Sequence, residues 1–217
     1  MSDALIREVQ EDLQRERALA LARRYGGYVI GLALAAVVAT AGYVGWTNWQ
    51  QGVRAEESAK LLSAVGTLDK GEAGQALPEL LAVAQESSDG VAEIARLQAA
   101  QAASRDGKTD EAVNILETAV QEGPGDAILK EAAQIAAIGR RLDSGDPAAL
   151  AAELEPLTGG DRAFRHQARE FLALVKVRGG DREAAKTILD NAIDDASIPA
   201  GARARLTELR AALEAIA

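Results

Sequence analysis

SRDGKTDEAVNILETAVQEGP, residues 104–124, carries the pattern from which the whole chain is read. A turn at Asp106-Gly107 divides two stretches rich in good helix formers. Beyond it, Ala112, Leu116 and Ala119 stand five, nine and twelve residues after Gly107, a spacing that puts a small, a large and a small residue on one helix face. Pro124, seventeen residues after the glycine, is placed to stop that helix. The same pattern recurs in both directions along the chain. Gly71, Gly107, Gly145 and Gly180 are separated by 36, 38 and 35 residues, and Leu80, Leu116, Leu154 and Leu189 each stand nine residues beyond one of them. At five residues come Ala76, Ala112, Leu150 and Ala185, and at twelve Val83, Ala119, Leu157 and Ala192. Seven residues before the glycines stand Ala64, Ala100, Ile138 and Ala173. A period of this length means stacked helix pairs: the small residues let two helices cross closely, and the Leu plugs the groove to the next pair. With no alternating strand pattern beyond Val53, the expected fold is all-α, an α-solenoid of about four helix pairs. A last helix from about Ala200 to Ile216 would cover its open end.

The other end of the chain has a different character. Residues 25–53 carry no charge, and within them Tyr25–Trp49, YGGYVIGLALAAVVATAGYVGWTNW, holds every Tyr and Trp of the protein, placed toward its two ends. An apolar run of about 20 residues spans a bilayer as a helix, and amphipathic rings mark its interfaces. One transmembrane helix over 25–49 is therefore expected. Arg7, Arg15, Arg17, Arg23 and Arg24 precede the run, whereas Arg54, Lys60 and Lys70 follow it, so 1–24 should be a cytoplasmic helix with a narrow apolar face. Residues 50–217 should form a periplasmic domain. Cleavage at Ala39-Thr40-Ala41, which has the form of a signal-peptide box, is the competing expectation. Gly27, Gly31, Ala35 and Ala39 form a stripe of small residues on the run, a candidate face for helix packing in lipid.

Composition narrows the function. The net charge of −9 lies wholly beyond the run, because the first 24 residues carry five acids and five arginines. An acidic domain is the opposite of a nucleic-acid footprint. The absence of Cys removes disulfides and thiolate chemistry. His166 is the only histidine, expected mid-helix, with no second ligand or nucleophile in a recognisable spacing. Gly159-Gly160-Asp161 and Gly179-Gly180-Asp181 read as inter-helix turns, since no phosphate-loop lysine follows them. Phe164 and Phe171 read as core packing, and Asp194-Asp195 as an acidic helix end. No catalytic, cofactor-binding or metal-ligating residue is nominated, and a non-enzyme without small-molecule substrate is expected.

Two resemblances follow from these residues. The glycine turn with its flanking Ala, Leu and Ala resembles the tetratricopeptide repeat. The first helices lack that repeat's aromatics, eleven and four residues before each glycine: Lys60 and Thr67, Arg96 and Ala103, Gln134 and Arg141, and Arg169 and Lys176 stand there instead. Nor is the Lys- and Asn-rich clamp for C-terminal carboxylates evident, as Asn114 and Asn191 are the only asparagines beyond the run. Over roughly the first 50 residues, Ile6-Arg7-Glu8-Val9, Arg23-Arg24-Tyr25-Gly26 and Gly42-Tyr43-Val44-Gly45-Trp46 resemble the tetratricopeptide-like ancillary subunits of the SecYEG translocon, a single-pass family of the bacterial inner membrane. The resemblance implies a membrane-anchored periplasmic scaffold whose partners are the Sec translocon and periplasmic chaperones or client chains. The alternatives are an N-terminal helix that holds a cytoplasmic regulator at the membrane, and a periplasmic protein of envelope or division-site assembly.

Overall fold

The computed structural model describes the backbone over residues 2–122 and 126–215, and in full, side chains included, residues 24–25, 31–32, 34–88, 90–121 and 126–215. Gly27 of the small-residue stripe and the Gly123-Pro124-Gly125 stop lie outside the fully described residues. Among the described residues there is no strand. The helices described follow one another as α1 Ser2–Asp69, α2 Ala73–Glu86, α3 Asp89–Arg105, α4 Thr109–Glu122, α5 Ala127–Arg141, α6 Pro147–Leu154, α7 Arg165–Arg178, α8 Arg182–Ile193 and α9 Ala200–Ala215, with a 3-10 turn at Glu155–Leu157. The chain divides into a unit of residues 1–55 and a unit of residues 56–217, so α1 contributes to both.

In the first unit the described apolar side chains face outward on all sides. Leu32, Val37 and Val38 are 75%, 65% and 70% exposed, and Leu34, Tyr43, Trp46 and Trp49 are exposed with them. The two threonine hydroxyls of this stretch turn inward to the helix backbone, Thr40 onto the Ala36 carbonyl and Thr47 onto that of Val44. Trp46 and Trp49 lie with ring centroids 5.3 Å apart, and the Arg24 guanidinium sits 5.6 Å over the Tyr25 ring. Among the fully described residues no helix is long and apolar enough to cross a membrane; residues 26–30 and 33 of the expected span lie outside them.

The second unit is built of four helix pairs closed by α9. The end of α1 with α2, α3 with α4, α5 with α6 and its 3-10 turn, and α7 with α8 form the pairs. Among the described residues four apolar cores run through them, a small one of Val83, Ala84 and Ala95 and three larger ones in series. The first joins α1 to α5 and is largely alanine; the second centres on Ile138, Leu150, Leu154 and Leu172; the third seats Leu206 of α9 against Ala173, Ala185 and Leu189. Alanine on the crossing faces lets the helix backbones approach, and the few Leu and Ile fill what remains. Acidic caps open several helices: Asp126 accepts from Ile128 and Leu129 N–H, Asp146 from Ala149, and Asp181 from Ala184.

The turns within the pairs are of two kinds. Gly71, Gly107 and Gly180 have φ of +88°, +79° and +86°, and after each the next N–H returns to the carbonyl five residues back: Glu72 to Thr67, Lys108 to Ala103, Asp181 to Lys176. A left-handed residue at this place is what lets a helix end on that bond, and glycine adopts it without a Cβ clash. Gly145, placed in the same series by its sequence position, does not have positive φ. It is glycine for space: a Cβ there would stand 3.0 Å from the Arg141 carbonyl oxygen and from Leu150 Cδ1. This pair has a longer spacing, and its second helix is only eight residues long. His166 also departs from expectation. It lies at the second position of α7 and not mid-helix, because Phe164 occupies the N-cap and the Gly160 turn (φ +48°) delays the helix start.

Candidate functional site

The repeat period places side chains at equivalent points on successive pairs. Leu80, Leu116, Leu154 and Leu189 are all fully buried, none more than 1% exposed. Gly31, Ala35 and Ala39 are exposed on the described part of α1. Neither set presents chemistry. The surface that does lies where the first-helix aromatics are missing.

The position eleven residues before each repeat glycine holds Lys60, Arg96, Gln134 and Arg169. Each of the four lines a notch whose opposite wall carries the residue eight after the glycine: Glu79, Ile115, Glu153 and Ile188. In chain order the cavities measure about 290, 430, 310 and 590 Å³. A long polar side chain fills less of the gap than an aromatic ring and needs a partner for its head. Lys60 finds Glu86 at 3.5 Å, and Arg169 finds Asp195 at 2.8 Å; the two acids lie at the same point, twenty-six residues after their cations. Asp195 also accepts from the Ser197 hydroxyl and N–H, and these bonds, with Arg169, hold its carboxyl well below the usual range. In the third notch Arg141 grips Glu153 through both oxygens, at 3.1 and 2.7 Å.

Two polar rows flank the notches, and several of their members join one pair to the next, although Glu93 keeps a buried carboxylate oxygen without a partner. At the start of the first helices, fourteen residues before the glycine, stand Glu57, Glu93, Glu131 and His166. Glu57 accepts from the Ser88 hydroxyl at 2.6 Å, and Glu131 from the Phe164 N–H at 2.8 Å, in each case at the start of the next first helix. At the other end, Arg105 donates to the Leu68 carbonyl, Arg140 to Ser104, and Arg178 to the carbonyls of Leu142 and Gly145. Arg105 and Arg178 there meet carbonyls near a helix C-terminus, where cations suit the macrodipole, and Arg140 meets a hydroxyl. His166 takes the acid's place in the fourth pair, with both ring nitrogens buried and without a hydrogen-bond partner. Burial, and then the neighbouring Arg165, push its pKa below 6.5, while Asp195 pulls the other way. Sequence reasoning passed over both rows and the notches. The signal was available, since the acids and the polar residues repeat with the glycines.

Among the described residues no three His, Asp or Glu side chains gather as a metal site. An all-α stack of helix pairs with a polar-lined, repeating surface defines a helical-repeat protein, a class that serves as protein-interaction scaffold. The family model of the tetratricopeptide repeat-like domain matches residues 22–149, more than half of the chain. The chain belongs to that family. No curated protein and no solved structure matches it.

Proposed function

We propose that the chain is a single-pass scaffold of the bacterial inner membrane, with residues 1–24 cytoplasmic, 25–49 in the bilayer and 50–217 in the periplasm. The observation that carries the reading is a helix whose described apolar side chains between 31 and 49 are exposed all round and whose threonines are satisfied internally. In water such a surface is costly; in hydrocarbon it is the ordinary exterior of a span. Tyr25 beneath Arg24 and the Trp46–Trp49 pair suit the two interfaces. The family match begins at residue 22, so the apolar run lies inside the matched region.

The partners follow from the resemblance of the first 50 residues to the ancillary subunits of the SecYEG translocon. Docked beside the translocon, the repeat domain would hold periplasmic chaperones or emerging client chains near the exit site. Tethering raises a partner's effective concentration and needs no chemistry. Protease applied to the periplasmic face of spheroplasts should remove nearly the whole repeat domain and leave residues 1 to about 50 protected. A mature N-terminus at Gly42, or recovery of the chain in the soluble fraction, would overturn the anchor. Copurification from native membranes should bring Sec subunits with it; their absence would sink the translocon assignment alone.

A further inference from the structure

Of the four equivalent notches, one contains a cation without an acceptor. Lys60 is met by Glu56 and Glu86, and Arg169 by Asp195 and the Thr158 carbonyl. Gln134 is neutral. In the second notch, Nη1 of Arg96 is out of water and has no hydrogen-bond partner. The surrounding cavity, about 430 Å³, has aliphatic walls from Leu81 and Ala84 on α2 and Ile115 on α4, with Glu111 and Asn114 also lining it.

We infer that the Arg96 notch docks an acidic side chain of a partner polypeptide, an Asp or Glu flanked by an aliphatic residue. The fold itself displays the fitting group, because at both equivalent cations the acceptor is a carboxylate. The half-buried Arg96 guanidinium keeps its charge, and the missing acceptor at its buried Nη1 is a desolvation cost that an incoming carboxylate removes. A charge-assisted, two-pronged bond then fixes the acid. The aliphatic walls take the neighbouring side chain. Glu111 opposes a dianion such as phosphate more strongly than a singly charged carboxylate. Glu122, twenty-six residues after Arg96, has its side chain outside the described residues, so its replacement is one arm of the experiment. The inference rests on the scaffold reading and adds the chemistry of one partner contact.

The full chain in lipid nanodiscs, methyl-labelled at Ile and Leu, is titrated with acetyl-Leu-Glu-Leu-amide and with acetyl-Leu-Gln-Leu-amide. The Ile115 methyl resonance should shift saturably with the first and bind the second at least about fivefold more weakly. Arg96→Gln should abolish the difference and Arg96→Lys retain it, while the Ile188 methyl of the fourth notch stays in place. Equal affinity for the two peptides, an equal response at Ile188, or tighter binding of inorganic phosphate at Ile115 would overturn the inference. Glu122→Gln should leave the affinity within about twofold, as expected of an independent site. A larger gain would mean that the chain fills the notch with its own carboxylate, which also overturns it. The titration and the translocon copurification can fail separately, so the two readings remain distinguishable.

Discussion

Replacing Leu116 by Ala probes the packing of the repeat at its most exposed weakness, a core with little to spare. Eleven of the fifteen buried members of the first core are alanines, and Leu116, 1% exposed, is one of only four leucines among them. The substitution removes the equivalent of three methylenes, about 2.4 kcal/mol of transfer free energy at roughly 0.8 kcal/mol each. Alanine neighbours have no reach with which to fill the void, so it closes only if whole helices move. A residual cavity of about 80 Å³ at about 24 cal/mol per Å³ adds roughly 2 kcal/mol, for a total near 4.5 kcal/mol. Leu62, on α1 and 70% exposed, is the control, and its change to Ala should stay within about 0.5 kcal/mol. Urea unfolding of the full chain in mild detergent, followed by far-UV circular dichroism, reads both. With an m value of about 2 kcal/mol per molar, Leu116→Ala should lower the midpoint by about 2 M. A shift no larger than that of Leu62→Ala would refute the reasoning, because it would mean that the pairs are not held by their leucine plugs.

Other outcomes follow from the turns and the polar rows. Glu131→Ala leaves the Phe164 N–H without its acceptor and Arg162 without its partner, and should cost about 1–3 kcal/mol in the same assay. Gly66→Ala, in a helix with open space at the new Cβ, should stabilise by about 0.4–1 kcal/mol, whereas Gly107→Ala, at φ +79°, should destabilise by about 1–2 kcal/mol. Equal effects from these two would contradict the backbone geometry. His166, the only histidine, gives one imidazole resonance to follow by NMR, and its titration midpoint should fall below 6.5. The sign for stability follows: the unfolded chain takes up the proton first, so the contribution is whole above about pH 6.5 and declines as pH falls toward the folded value. A midpoint at or above 6.5 would show that the ring is solvated or held by an acid.

Sequence alone determined that the chain is all-α, that its helices come in pairs of a fixed period, and that an uncharged run precedes them. These are one-dimensional properties. Helix burial repeats every three to four residues, and a pair cannot hide its apolar face without another pair beside it, so small and large residues must recur at one spacing. Partner choice among the long polar side chains was not legible. Glu57 reaches Ser88, Arg105 reaches Leu68 and Arg178 reaches Leu142, over 31, 37 and 36 residues. Those meetings depend on turn length and on the distance between pairs. The same holds for Gly145, whose place in the series resembles that of the other glycines although its role is clearance beside Leu150. Only the tertiary structure could separate Arg96 from Lys60 and Arg169. All three are cations at one repeat position, and what distinguishes Arg96 is the absence of an acceptor at its buried nitrogen.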